Sequence, residues 1–241
     1  MKKILVIGES CLDVFTYCEA KRLCPDVPVP VLNVVKTATN PGMAANVFRN
    51  IEKLEKDCSL LTNEGWEKIT KTRYVDEKSN HHFVRVDSPH VFEPGEVTKE
   101  FLTEYELIAI SDYNKGFLTH ETMRFICENH PLVFVDTKKP VGEFLNSAKY
   151  IKINNFEYQN SKPYLTPELE KKIIHTDGEN GCYFSGRQFT VNKVEVKDTS
   201  GAGDSFFAAL IVMYLKKFNI EDAIMFANGI ASEAVKHRGV T

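Results

Sequence analysis

Short apolar segments alternate with amphipathic stretches along this chain, and this alternation constrains the fold more than any other feature. The strand candidates are nearly continuous runs of β-branched and other apolar residues, at 4–8, 58–62, 107–111, 132–136, 150–153 and 173–176. Such strands are typical of a parallel sheet covered on both faces. Helix candidates such as residues 44–56 and 119–130 lie between them. The sequence therefore predicts an α/β domain with a doubly wound, mostly parallel sheet, helices on both faces, and ligands at the carboxyl ends of the strands.

Two stretches interrupt this rhythm and predict a small β lid. Residues 29–35 are expected to be extended because Pro28 and Pro30 disfavour helix there. Residues 69–87 read as two strands around a polar turn at 76–80. We expect a single domain over residues 1–241, with a lid formed by about 14–36 and 69–88 that excludes water from a site. The alternative is an extra edge hairpin without function. Exposed strand edges in the lid predict a possible homodimer.

Composition excludes several classes of protein. The 241 residues carry a formal net charge of −3, which argues against a nucleic-acid-binding protein that relies on a positive field. The longest strongly apolar run, 206–215, is ten residues, about half of the roughly 20 that span a bilayer. The amino terminus lacks the apolar region of a signal peptide. We therefore expect a cytoplasmic protein with no membrane partner.

A glycine loop precedes the most apolar helix candidate, residues 205–218. The loop is Gly201-Ala202-Gly203-Asp204, and its glycines allow backbone N–H groups to converge beside the positive end of a helix. This arrangement binds phosphate. A carboxylate at such a place favours a catalytic base for phosphoryl transfer over a binding role, because like charges repel. The alternative is a tight turn in which Asp204 caps the helix.

The loop, read as DTSGAGD over residues 198–204, resembles the ATP-side signature of the PfkB-type, ribokinase-like carbohydrate kinases. The family's other elements follow in its order: Asp13 after the first strand, PGMAAN at 41–46, NNFE at 154–157, TDGENG at 176–181, and Asn228. The family usually has two consecutive glycines where this chain has Gly42 and Met43, and this chain is shorter than typical members. The resemblance implies a ribokinase-like fold and transfer of a phosphoryl group from ATP with Mg²⁺, and, as in many relatives, a monovalent cation such as K⁺.

Segments 22–30, 111–116 and 135–138 resemble family members that phosphorylate the anomeric oxygen of a heptose 7-phosphate. That sugar phosphate is the expected substrate. Two alternatives remain open: a kinase for another sugar or nucleoside, and a catalytically silent sugar- or nucleotide-binding homologue.

The resemblance also implies roles for individual residues. The catalytic group would be Asp204 with the anion-binding N–H groups of Gly201, Ala202 and Gly203. Substrate would be bound by Asp13, Gly42 and Asn46. A second phosphate would be bound by Arg85, Lys115 or Lys138, with Arg73 and Arg22 as further candidates. Nucleotide would be bound by Asn154, Thr176, Gly178, Gly181, Asn228 and Lys138. Glu157 would hold Mg²⁺ through water. Asp198, with Ser200 and backbone carbonyls at 231–239, would hold a monovalent cation.

Overall fold

The computed structural model describes residues 2–237 and contains two β-sheets. Its strands are, in chain order, β1 (Lys2–Ile7), β2 (Ser10–Leu23), β3 (Pro30–Met43), β4 (Cys58–Leu61), β5 (Thr70–Asp76), β6 (His82–Asp87), β7 (Tyr105–Asp112), β8 (Val133–Thr137), β9 (Tyr150–Asn154), β10 (Ile173–Thr176), β11 (Cys182–Phe184) and β12 (Arg187–Phe189). Its α-helices are α1 (Ala44–Leu54), α2 (Lys99–Leu102), α3 (His120–Asn129), α4 (Asn155–Ser161), α5 (Pro167–Glu170), α6 (Ala202–Lys217) and α7 (Ile220–Ala234).

The larger sheet has eight strands in the order β12-β11-β10-β9-β8-β7-β1-β4. Neighbours from β4 to β10 run parallel, and β11 and β12 add an antiparallel hairpin at one edge. The six strand candidates correspond to β1, β4, β7, β8, β9 and β10. The predicted doubly wound, mostly parallel sheet is confirmed.

Alternate residues of β1 enter two separate cores, as the two-residue repeat of a strand requires. Ile4 and Val6 pack with apolar residues of α1, α6 and α7. Leu5 and Ile7 pack on the other face with residues of α2, α3 and α5. Helices therefore cover both faces of the sheet. Since α6 lies between α1 and α7, it is buried around most of its circumference, which explains why its sequence is so uniformly apolar.

The smaller sheet has the order β3-β2-β5-β6. Strands β2 and β3 form a long antiparallel ribbon, β5 pairs with β2 in parallel, and β6 returns antiparallel to β5. The ribbon begins at Ser10 and ends at Met43, so this sheet reaches farther toward the large sheet than the predicted bounds of 14–36. Sequence reasoning missed the end of β3 because Pro41 and Gly42 are unusual in strands; β3 is an edge strand, where proline is tolerated.

Helix α6 begins at Ala202, three residues earlier than predicted. Gly203 and Asp204 therefore belong to the first helical turn. None of the helices in residues 2–237 combines the length and the hydropathy needed to cross a bilayer.

Candidate active site

The glycine loop turns into helix α6 through Gly201, whose φ of +78° lies in the left-handed region that favours glycine. The first turn of a helix leaves backbone N–H groups without partners inside the helix. Gly203 is exposed in this turn, and a Cβ there would lie 3.1 Å from the Lys152 Nζ atom. The Ala202 N–H, one of the predicted anion-binding groups, instead donates to the Thr199 carbonyl at 3.3 Å. The Gly203 N–H, beside the Lys152 ammonium group, is the donor of this turn best suited to phosphate.

Both carboxylate oxygens of Asp204 accept side-chain hydrogen bonds. Asn46 Nδ2 donates to Oδ2 at 2.7 Å, and the Tyr113 hydroxyl donates to Oδ1 at 2.7 Å. Burial raises the pKa of the Asp204 carboxyl above its ordinary value, and these two hydrogen bonds act in the opposite direction. The alternative interpretation of Asp204 as a helix cap is wrong, since the cap position is Gly201 and no side chain caps α6.

Asp204 opens onto a cavity of about 370 Å³ at the carboxyl ends of the parallel strands. This cavity, which we call the central cavity, is lined from both sheets and from the glycine loop: by Asp13, Met43, Lys71 and Arg73, by Tyr113, Asp136, Lys138, Lys152, Asn154 and Thr176, and by Ser200, Gly201, Gly203 and Asp204. Residues proposed for acceptor, catalysis and nucleotide therefore meet at one place.

Asp13 lines the acceptor side of the central cavity, and Gly42 lies against its carboxylate. The Asp13 carboxylate forms an ion pair with Arg73 of β5. A Cβ on Gly42 would lie 2.5 Å from the Asp13 Oδ2 atom, so only glycine fits opposite this carboxylate. Asn46, which donates to Asp204 and is itself buried, has an Oδ1 atom without a hydrogen-bond partner. An unpaired acceptor next to a carboxylate is what a sugar hydroxyl requires.

Met43 occupies the place of the family's second glycine. Its φ of 61° and ψ of −133° lie in a region that residues with a side chain rarely adopt. The side chain is buried and contributes to the wall of the central cavity. Helix α1 begins directly after this strained residue.

Asn154 and Glu157 form a reciprocal capping box at the start of α4. Glu157 is only 5% exposed, so it is not a solvated surface charge. Its Oε1 atom also pairs with Lys138. Burial lowers the pKa of Lys138, but the Asp136 and Glu157 carboxylates outweigh this and raise it above its ordinary value.

Asp136 and Lys152 form a buried ion pair, with Lys152 Nζ 2.8 Å from Asp136 Oδ2. The other oxygen, Asp136 Oδ1, is buried without a hydrogen-bond partner and belongs to a residue of the cavity wall. Within residues 2–237, no three His, Cys, Asp or Glu side chains are grouped to hold a metal ion alone. An ion bound here would therefore take ligands from water or a nucleotide, and Asp136 Oδ1 fits an acceptor for such a water.

A second cavity of about 240 Å³ lies on the other side of the glycine loop. Gly178, Gly181 and Asn228 line it together with Ala202, and valine side chains supply much of its apolar wall. The Asn228 Nδ2 atom donates to the Phe189 carbonyl at 3.0 Å. Ala202 therefore faces the second cavity, whereas Gly201 and Gly203 line the central one.

Two of the cations predicted for a second phosphate lie outside the central cavity. Arg85 is on β6, opposite Arg73 in register, and its guanidinium is bound by both oxygens of Asp87. Lys115 is exposed, and only its backbone N–H has a fixed role, as a donor to Glu9. The further candidate Arg22 is also exposed and does not line the cavity.

Lys71 and Lys152 line the cavity instead, and sequence reasoning missed both. The available signal was the two-residue repeat: Lys71 precedes Arg73 by two positions on β5, and Lys152 precedes Asn154 by two on β9. Among the described residues, Lys71 is the cavity cation without a carboxylate partner. Its Nζ atom lies 5.5 Å from the centre of the Tyr113 ring.

Asp198 lies beside the glycine loop, where its Oδ1 atom accepts the Ser200 N–H at 2.8 Å. The Val235 carbonyl, among those proposed as cation ligands, accepts the N–H of Lys197 at 2.8 Å and that of Asp198 at 3.3 Å. Gly239, at the end of the proposed carbonyl set, lies outside the described residues.

Residues 121–241, half of the chain, match the pfkB family of carbohydrate kinases. The chain belongs to this family. The bifunctional protein HldE of Helicobacter pylori strain G27 is 29% identical over 296 residues, which cover 99% of this chain and 64% of that protein. HldE of Nitratiruptor sp. is 27% identical over 97% of this chain and 61% of its own length. The PfkB chain thus spans less than two thirds of these relatives.

Solved structures share the fold of this PfkB chain. Thermotoga maritima ribokinase superposes with a TM-score of 0.74 at 20% identity, covering all of this chain and 95% of that one. Escherichia coli phosphofructokinase-2 in complex with potassium superposes with a TM-score of 0.69 at 17% identity, covering all of this chain and 94% of that one. The ribokinase-like fold expected from the motifs is confirmed.

Proposed function

We propose that this protein transfers the terminal phosphoryl group of ATP to a hydroxyl of a sugar or sugar phosphate, with Asp204 as general base. The observation that carries this proposal is the placement of Asp204 in the first turn of α6, inside the central cavity and beside the exposed Gly203. A base and an anion-binding helix terminus at one point are the two requirements of phosphoryl transfer to an alcohol.

The reaction follows from this geometry. Asp204 accepts the proton of the acceptor hydroxyl while the oxygen attacks the terminal phosphorus and the bond to the ADP oxygen breaks. Backbone N–H groups at the start of α6 stabilise the charge on the transferred group, and Lys152 adds a positive charge beside Gly203. Its raised pKa makes Asp204 a stronger base than an exposed aspartate.

ATP would place its base in the second cavity and its phosphates across the glycine loop. Mg²⁺, when bound with the nucleotide, neutralises phosphate charge. Asp136 and Glu157 would hold it through water. Glu157 already accepts three hydrogen bonds, which disfavours direct coordination, whereas Asp136 Oδ1 accepts none and can accept one from a metal-bound water. Asp198 would support a monovalent cation such as K⁺ beside the loop.

The proposed acceptor is a heptose 7-phosphate, phosphorylated at its anomeric oxygen. The similarity to the HldE proteins and the motifs at 22–30, 111–116 and 135–138 support this choice. Lys71 and Arg73 support it independently, because they bring positive charge to the acceptor side of the cavity. We propose these two residues, in place of Arg85 and Lys115, as the site for the second phosphate.

The test is ADP release from Mg-ATP across a panel of sugars and sugar phosphates. We expect turnover with a heptose 7-phosphate and a fall in kcat of at least about a hundredfold in Asp204→Asn, the contribution typical of a general base. Asp222→Asn, an exposed aspartate on α7, is the matched control and should keep full activity.

Other outcomes of this assay would support one of the two alternative functions. Turnover on a different sugar alone would retain the kinase and exclude the heptose phosphate. ATP binding by calorimetry without turnover on any panel member would instead identify a silent homologue.

A further inference from the structure

A short loop after β7 carries Tyr113 into the central cavity, and a buried carboxylate fixes that loop. Glu9 is fully buried between β1 and β2. Its Oε2 atom accepts the backbone N–H of Tyr113 at 2.9 Å, and its Oε1 atom accepts that of Lys115 at 3.0 Å. Because both oxygens hold the same loop, the Tyr113 backbone is fixed relative to the large sheet.

The Tyr113 side chain is fixed as well. Two ammonium groups lie near its ring: Lys71 Nζ from the small sheet at 5.5 Å and Lys138 Nζ from the large sheet at 5.6 Å from the ring centre. Such cation–π contacts favour one orientation of the ring. In this orientation the hydroxyl reaches Asp204 Oδ1 at 2.7 Å.

We propose that Tyr113 is a positioning residue for the catalytic base: its hydroxyl hydrogen bond holds the Asp204 carboxylate in the orientation that accepts the proton of the substrate. This inference rests on the proposed role of Asp204. It assigns a function to a residue that lies in the 111–116 segment and for which the sequence alone gave no role.

The hydroxyl acts as a donor only. Burial and the neighbouring Asp204 charge raise the pKa of Tyr113 well above its ordinary value, so the phenol keeps its proton at neutral pH. With Asn46 on Oδ2 and Tyr113 on Oδ1, the carboxylate plane cannot rotate without breaking a hydrogen bond. Each carboxylate oxygen accepts more than one hydrogen bond, so room remains for the substrate hydroxyl.

Tyr113 also counteracts the effect of burial on Asp204. Its hydrogen bond lowers the pKa of that carboxyl, as do Asn46 and the Lys152 charge, whereas burial and Asp136 raise it. Lys138 is a further charged group that interacts with Asp204. Loss of the phenol therefore shifts the titration of Asp204 upward.

The decisive variant is Tyr113→Phe, which keeps the ring between the two lysines and removes only the hydroxyl. We expect kcat to fall roughly tenfold, with the KM for ATP unchanged, since orientation of a base affects the chemical step. The acid limb of kcat/KM should move to higher pH, because the base needs a higher pH to ionise.

Tyr158→Phe is the matched control. Tyr158 donates to Glu170 at 2.6 Å, a similar phenol–carboxylate bond outside the central cavity. This variant should leave kcat and the pH profile unchanged. A Tyr113→Phe enzyme whose kcat and acid limb match those of Tyr158→Phe would overturn the proposal.

A measurement without turnover separates this inference from the kinase assignment. Carboxyl ¹³C NMR, with the Asp204 signal assigned by its loss in Asp204→Asn, reports the titration directly. The Asp204 midpoint should lie higher in Tyr113→Phe than in the unchanged protein or in Tyr158→Phe. An unmoved midpoint contradicts the proposal even in an active kinase, and a raised one supports it even where no substrate is found.

Discussion

At the scale of single residues, Met43 shows how the site tolerates a departure from the family's pattern. A second glycine would adopt φ of 61° and ψ of −133° without strain, whereas methionine pays a conformational penalty there. Its side chain is 3% exposed and packs with Cys11 and Ile69. Burial of the methionine side chain offsets the backbone strain, so this residue combines a local cost with a packing gain.

The backbone strain at Met43 predicts that glycine is more stable than alanine at this position, the reverse of the usual order. Met43→Ala loses the packing and keeps the strain, whereas Met43→Gly loses the packing and removes the strain. We expect Met43→Gly to be the more stable variant by about 1 kcal/mol in urea unfolding.

Met123 provides the control for this order. It is a fully buried methionine inside α3. There the alanine variant should have a free energy of unfolding about 0.5–1 kcal/mol higher than the glycine variant. The same order at both positions would mean that the backbone of residue 43 is not strained.

At the scale of elements, one face of strand β5 supplies Lys71 and Arg73, the cations on the acceptor side of the central cavity. Lys71 and Arg73 are two residues apart and share this face, while Thr72 between them points away. Arg73 is already paired with Asp13, whereas within residues 2–237 no carboxylate forms an ion pair with Lys71, whose ammonium group lies over the Tyr113 ring. Lys71 is therefore the stronger candidate to bind an anionic group of the substrate.

The prediction for β5 is a selective loss of affinity for the acceptor. Lys71→Met should raise the KM for a phosphorylated acceptor roughly ten- to hundredfold, the effect of losing one charged hydrogen bond. The KM for ATP should stay constant. Arg85→Met, from the neighbouring strand, should change neither value because Asp87 already holds Arg85; equal effects of the two variants in steady-state kinetics would contradict this assignment.

The elements also show what the sequence reveals about this site. Continuous apolar runs in the sequence predicted β1, β4 and β7–β10, and the glycine loop was predicted to precede α6. Both predictions were possible because these patterns lie within short stretches of the chain. The Tyr113–Asp204 bond joins residues 91 positions apart, and no local pattern encodes it. The position of Arg85 outside the central cavity could not be predicted for the same reason: its charge is visible in the sequence, but the strand order that sets it beyond β5 is not.

At the scale of the whole molecule, the outer edge of the small sheet is unusually apolar. Val84 is 48% and Val86 53% exposed on β6, and they share the face opposite to that of Arg85. Within residues 2–237, strand β6 pairs with β5 alone. An edge strand with apolar side chains is a surface on which a second copy of the chain can pack.

The corresponding prediction is a homodimer through the small sheet. Sedimentation velocity at micromolar concentration should give twice the mass of one chain, and the double variant Val84→Glu with Val86→Glu should sediment as a monomer. Met225→Glu, at an exposed apolar residue of α7, is the control and should remain dimeric. A protein that sediments as a monomer at all concentrations excludes this interface.

The two sheets contribute different parts of the central cavity, and this division has an evolutionary consequence. Lys71 and Arg73 come from the small sheet, whereas Asp136, Lys152 and the glycine loop come from the large sheet and α6. Substitutions in β5 alter the acceptor wall without entering the core that holds the glycine loop. Selection for a new substrate can therefore act on β5 of the small sheet while Asp204 and the glycine loop are inherited with the large sheet and α6, so that one fold can change its acceptor without rebuilding its catalytic base.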